Sequence, residues 1–315
     1  MIKENGTSDE DFILLSFSYL PNQRILFFLV FLVLYILTIL GNATTILIIC
    51  LDLQLHTPMY WFLCGLSFLD ICNTCVTIPK LLVNLITRDG SISYLGCVAQ
   101  VFIFDSLAGT ECGLLAVMAY DRYLAICNPL HYMKIMTNRV CSTLIALPWL
   151  SGFLQSSINT PLTFQLSFCQ SKILNSFFCE VPYLLKISCS AIYLNQIVLF
   201  GIGGLLSLSP FILTFVSYSL IIKSILKIPS AKSRSKAFST CSSHLTVVSM
   251  FYGAAMFVYF RSASSYSMPF DRMMSLFYTL LTPLLNPIIY TLKNNNVKKA
   301  MLKLFHRKET LKYDF

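Results

Sequence analysis

The chain has 315 residues, 56% of them hydrophobic and 12% charged, with a net charge of +9 and a mean hydropathy of +0.70. That is too apolar for a soluble globule with a polar surface, so the chain belongs in a lipid bilayer. The positive balance speaks for attraction to an anionic leaflet and a cytoplasmic partner, not to nucleic acid, for which a membrane chain offers no groove reader.

A membrane-spanning helix needs about 20 residues with few or no charges, and the charges parse this chain. Charge-free intervals run over 25–51, 140–171, 187–222, 237–260 and 273–292. Two further spans carry acids: 59–79 holds Asp70, and 98–119 holds Asp105 and Glu111. Apolar residues surround these acids, and ionisable groups in such helices face the bundle interior. The prediction is an all-α membrane protein, a seven-transmembrane helix bundle over about 25–50, 59–86, 97–127, 140–161, 194–226, 237–261 and 272–292. Residues 1–24 form an external tail, 25–292 the seven-transmembrane domain and 293–315 a cytoplasmic tail. Fifteen of the 23 Lys and Arg residues then lie on the cytoplasmic side, which puts the amino terminus outside and the carboxyl terminus inside.

Taken in order, the first tail has acids and no cleavable signal pattern, and Asn5-Gly6-Thr7 is an N-glycosylation sequon. Asn42-Ala43-Thr44 has the same pattern but lies in the membrane. There Gly41 permits close helix approach and Asn42 offers an amide for a polar contact across the bundle. Pro58 suits the first turn of helix two. Counting 1.5 Å per residue puts Asp70 and Glu111 at one depth, roughly 15 Å above the cytoplasmic face, where two carboxylates share a proton or hold a cation. Cys72 and Cys75 have zinc-like spacing without a second pair of ligands. Cys97, Cys169, Cys179 and Cys189 lie on the oxidising external side and allow three pairings.

Helix three ends in Asp121-Arg122-Tyr123. An arginine there is locked by its acidic neighbour or released to another helix, a two-state latch. Tyr218 and Tyr290 share its depth, so Arg122 is expected near Asp121 at rest and near these tyrosines when a partner docks. The basic run from Lys223 to Lys236, with Pro229, links helices five and six. Helix seven ends in Asn286-Pro287-Ile288-Ile289-Tyr290, where Pro287 frees a backbone carbonyl and weakens the helix. Residues 294–305 alternate basic and apolar at helical spacing, predicting a short amphipathic cytoplasmic helix on the membrane surface.

Depth also defines a ligand layer. Asp105 and Tyr252 lie about 12 to 14 Å below the outer surface. Phe104, Asp105, Ala108 and Gly109 are expected on an inward face of helix three, and Tyr252, Ala255, Met256 and Tyr259 on helix six. Ile202 and Leu206 from helix five and Leu276 and Thr279 from helix seven complete the lining. Such a Met- and aromatic-walled cavity suits a small volatile molecule. Asp105 either selects ligands bearing an amine or hydrogen-bond donor, or is bonded to a neighbouring helix.

The runs MAYDRYLAICNPLHY (118–132), PMYWFL, KAFSTCSSHL and PLLNPIIYTLKN, with Phe251-Tyr252-Gly253, resemble the olfactory receptor family of rhodopsin-like G-protein-coupled receptors. The resemblance spans Gly41 to Tyr290. Trp61 stands where the family commonly has Phe, and Phe251-Tyr252-Gly253 replaces the Trp and Pro pair of most rhodopsin-like receptors. The resemblance implies disulfides Cys97–Cys179 and Cys169–Cys189, and a sodium ion near Asp70, with Glu111 an olfactory feature. Apart from that ion no cofactor is expected. It assigns Asp121, Arg122, Tyr123, Tyr218, Asn286, Pro287 and Tyr290 to activation of a heterotrimeric G protein of the cAMP-raising type. The expected partners are therefore an odorant and that G protein, at the plasma membrane. No nucleophile, base and orienting acid stand at a catalytic spacing, so no enzyme is expected. A transporter would show paired repeats, and a non-olfactory receptor for an amine or peptide would carry the helix-six Trp.

Overall fold

In the computed structural model, which describes residues 11–16, 21–168, 172–198, 201, 204–259, 273–292 and 295–310, the chain is built on long helices. Helix α1 (Arg24–Leu51) is followed by α2 (Pro58–Thr87) and α3 (Tyr94–Cys127). A short α4 (Pro129–Ile135) precedes α5 (Asn138–Phe164). Local chemistry sets several ends. Pro58 occupies the first turn of α2, the Ser93 hydroxyl accepts from Gly96 N–H at the start of α3, and the Thr137 hydroxyl accepts from Val140 N–H at the start of α5. The external loop that follows holds α6 (Val181–Ile187), and the fifth span contains α7 (Tyr193–Val198) and α8 (Gly204–Leu226). Helix α9 (Ala231–Tyr259) forms the sixth span, α10 (Thr282–Leu292) ends the seventh, and α11 (Asn295–Thr310) completes the described chain.

Among the described residues, five helices are long and apolar enough to cross a membrane: α1, α2, α3, α8 and the stretch Met273–Tyr290. Helix α5 is more polar because Gln155, Ser156, Asn159, Thr160 and Thr163 are buried. Several of these groups bond to α3 and not to lipid: Ser156 Oγ donates to the Phe102 carbonyl at 2.6 Å. A Cβ on Gly152 would collide with the Ser106 carbonyl, so only glycine lets the two backbones meet this closely. Helix α9 starts at Ala231, inside the basic run expected to be a link. The first charge marks the bilayer edge, not the helix end, and helical residues continue into water.

Helix seven departs from regular geometry over Phe277–Leu281, a π-helical turn just ahead of Pro283. Four residues below, Pro287 has no N–H for the Pro283 carbonyl. Asn42 Nδ2 of α1 donates to that carbonyl at 3.0 Å. The freed carbonyl and the unassigned amide, read separately in the sequence, are partners. Beyond helix seven, Val297 and Ala300 of α11 are buried in the main core, and Lys303 lies 3.8 Å from Asp52 and donates to Gln54 at 3.2 Å.

The outer face carries a small sheet that the sequence did not announce. Strand β1 (Phe12–Leu14) lies between β2 (Ser91–Ile92), antiparallel, and β3 (Ile173–Leu174), parallel. Strands this short show no alternation to read. Part of the expected free tail is thereby fastened over the bundle, with Phe12 and Leu14 packed beside Cys97 and Cys179.

Candidate functional site: a polar column through the bundle

The column begins at the outer strap. Cys97 and Cys179 are joined by a disulfide, with their Cα atoms 5.5 Å apart. Gln100 of α3 fixes the same segment, accepting from Cys179 N–H and donating to the Val76 carbonyl, both at 2.8 Å. Cys189 is disulfide-bonded as well, while Cys169 lies outside the described residues, as does Asn5. Peptide mapping under non-reducing conditions should recover Cys97 linked to Cys179. A Cys97–Cys189 or Cys97–Cys169 peptide would overturn the strap.

Next to the disulfide sits Glu180, a group the sequence reading passed over because it lies in a loop. It is 1% exposed. Tyr278 Oη donates to it at 2.6 Å, Ser275 Oγ at 3.2 Å and Ser176 Oγ at 3.5 Å, so one carboxyl ties the external loop to helix seven. Burial holds its pKa up at about 7, against the pull of these hydroxyls and of Lys186.

Below the strap, Phe104 packs edge-on against Phe178 at 4.8 Å and near Tyr278, with Leu276 in the same cluster. Asp105 does not share this direction. Asn159 Nδ2 donates to it at 3.1 Å and Gln155 Nε2 at 3.5 Å, both from α5. Gly109 likewise meets Gly152 of α5. These two positions therefore leave the expected ligand face. Successive helical residues turn by about 100°, so Phe104 points into the bundle and Asp105, with Gly109 one turn on, points at its neighbour. Ala108 and Leu206 are half-buried, and Thr279 is buried with its hydroxyl on the Ser275 carbonyl. Tyr252 stacks edge-on with Phe211 of α8 at 5.0 Å and donates to the Cys112 carbonyl at 3.4 Å. Ile202 and the side chains of Ala255, Met256 and Tyr259 lie outside the described residues.

Mid-bundle, Asn286 Nδ2 donates to both carboxylate oxygens of Asp70, at 3.2 and 2.9 Å. Glu111 is buried and close enough to act electrostatically on Asp70. Among the described residues, buried Asn73 Oδ1 and Asn286 Oδ1 have no hydrogen-bond partner.

The other end of the column holds the Asp121-Arg122-Tyr123 motif. Asp121 accepts from Tyr132 Oη of α4 at 2.8 Å, and among the described residues no ion pair joins it to Arg122. Adjacent helical positions diverge, so Asp121 reaches toward α4 while Arg122 faces the bundle. Tyr123, the third residue of the motif, packs beside the cluster of Ala119, Tyr218 and Cys241. Arg122 lies close enough to act electrostatically on Tyr218, Cys241, His244 and Tyr290. Tyr218 Oη and His244 Nδ1 are 2.7 Å apart, and the buried Tyr290 hydroxyl has no hydrogen-bond partner among the described residues. His244 was legible as a lone histidine within KAFSTCSSHL, but its role needed the facing helix.

The chain matches known proteins along almost its whole length. A family model described as olfactory receptor matches residues 31–308. The chain belongs to the olfactory receptor family. Mouse olfactory receptor 5AP2 is 48% identical to this receptor over 303 residues, covering 96% of each chain. Human olfactory receptor 2G3 is 49% identical over 304 residues, 96% of this chain and 98% of its own. The fold of the receptor is also that of squid rhodopsin, with a TM-score of 0.69 at 19% identity over 87% of this chain and 78% of that one. The receptor is thus an odorant-sensing G-protein-coupled receptor of the membrane and not an enzyme.

Proposed function

We propose that the receptor takes a small volatile odorant in its outer half and signals through a heterotrimeric G protein of the cAMP-raising type at the Arg122 end. Its amino terminus is external and its carboxyl terminus cytoplasmic. The observation that carries this reading is Arg122, which makes no ion pair with Asp121 among the described residues and lies within electrostatic reach of Tyr218, His244 and Tyr290 as well as of Asp121, on the same helix α3 whose other end lies under the disulfide strap. One helix therefore connects an outer aromatic chamber to an inner cationic one. The ligand-facing residues are Phe104, Ala108, Leu206, Tyr252, Leu276 and Thr279, with Ile202, Ala255, Met256 and Tyr259 completing the set. The orientation follows from the Lys and Arg bias. A chemically diverse odorant panel in cells carrying a cAMP reporter tests the reading. Agonists that raise cAMP without substrate flux support it, and transport of the agonist would sink it.

The Asp105 geometry gives this proposal a sharp prediction. Because its oxygens take donors from α5, Asp105→Asn should weaken responses to matched amines, alcohols and hydrocarbons alike. A selective loss for amines would return Asp105 to the ligand.

The mid-bundle acids suit a small hard cation or a shared proton, and we take the cation as the reading to test. Asn286, which bonds to Asp70, keeps a buried carbonyl oxygen that has no hydrogen-bond partner among the described residues and is a suitable oxygen ligand. Asp70 and Glu111 supply the opposing charge. Sodium chloride should therefore raise the thermal stability of purified receptor more than choline chloride does, and Asp70→Asn should remove the difference. Equal stabilisation by both salts in the wild type would leave the pair with a proton alone.

A further inference from the structure

Where α8 and α9 approach their cytoplasmic ends, the two helices leave an open cleft of about 390 Å³. Tyr218, Ile221 and Ile225 are the buried residues of α8 here, packed with Ala119 of α3 and Cys241 of α9. One position on, Ile222 and Leu226 turn away and are 41% and 67% exposed. Across the gap α9 offers Phe238, 54% exposed, with Ala231, Arg234 and Ser235 one turn nearer the end. Buried Ile225 floors the cleft, and the exposed Ile222, Leu226 and Phe238 form its open side, which in a bilayer is the side that meets acyl chains.

Charge then decides what fills the cleft. Arg234 lines it, Lys223, Lys227 and Lys232 are exposed close by in sequence to its lining residues, and the sequence has no Asp or Glu from 181 to 270. Among the described residues none of these four cations makes an ion pair. Two of them lie in the opening turns of α9, where the helix dipole already contributes positive potential and where acids are the usual complement. The arrangement is an apolar slot beneath an uncompensated cationic rim. A soluble phosphate would satisfy only the rim, and an uncharged lipid only the slot.

We propose that this cleft binds an anionic phospholipid, its tail between Ile222, Leu226 and Phe238 and its headgroup phosphate on Arg234 and Lys232. Which leaflet supplies it follows from the orientation proposed above; the binding itself does not depend on that orientation, nor on the odorant. The test uses purified full-length receptor in phosphatidylcholine nanodiscs containing a trace of diazirine-tailed phosphatidylserine or, separately, diazirine-tailed phosphatidylcholine. After photolysis, peptides spanning 222–238 should be labelled preferentially by the serine lipid. Arg234→Gln and Lys232→Gln should each lower that labelling by about fivefold, while Arg234→Lys largely retains it. Both cations are exposed, so thermal stability in pure phosphatidylcholine discs should match the wild type and separates lost binding from lost fold. Equal labelling by the two lipids, or serine-lipid labelling unmoved by both Gln variants, would overturn the site. So would cross-links from the cleft to a second receptor, or its protection only by added G protein.

Discussion

Arg122→Ala is expected to abolish odorant-evoked cAMP while leaving surface expression measurable. The side chain is half-buried, makes no ion pair with Asp121, and lies within electrostatic reach of Tyr218, His244 and Tyr290. Removing it strips a buried cluster of its cation without creating a core cavity, so function is lost before folding. Tyr132 sharpens the test. Its hydroxyl occupies Asp121 at 2.8 Å, and in Tyr132→Phe the aspartate loses that donor and competes for the neighbouring guanidinium. The cAMP response of Tyr132→Phe should therefore fall partway, and Tyr132→Phe with Asp121→Asn should recover. Full signalling by Arg122→Ala would remove this cluster from the signalling account.

The second large effect is a pH dependence set by Glu180. Its pKa stands at about 7 against an ordinary 4.5, because burial disfavours the charged form. The folded receptor therefore holds a proton that the unfolded chain releases above pH 4.5. Stability contributed by this group is greatest below that value, falls as pH rises toward 7, and stays flat above it. Each pH unit of the window corresponds to about 1.4 kcal/mol, so the loss approaches about 3 kcal/mol across it. Glu180→Gln keeps an acceptor for Tyr278 and carries no proton equilibrium. Thermal unfolding at pH 5 to 8 should show a declining midpoint in the wild type and a shallower decline in Glu180→Gln. Parallel curves for the two proteins would exclude Glu180 as the source.

Much of the architecture was legible because a bilayer writes its constraint plainly: charges cannot sit in lipid, so charge-free runs mark the spans. Depth was legible for the same reason, and Asp70 and Glu111 do interact. Direction was harder. Asp105 and Phe104 are neighbours in sequence yet address different helices, and Asp121 and Arg122 divide in the same way. Counting residues gives height on a helix, but the facing partner decides what a side chain touches. Glu180 and the three short strands lay beyond periodicity altogether, since loops and three-residue strands carry none.

The outer sheet bears on how the receptor is made. Its central strand, Phe12–Leu14, leaves the ribosome first, yet one flank is supplied by Ser91–Ile92 and the other by Ile173–Leu174. The leading segment must wait, half-paired once the link between α2 and α3 has been made and completed only when the loop beyond α5 arrives. Closure of the outer lid, with the Cys97–Cys179 bond beside it, is therefore a late event in biosynthesis. A chain stalled before that loop exposes unsatisfied strand edges to the folding compartment, a natural signal for quality control to retain it.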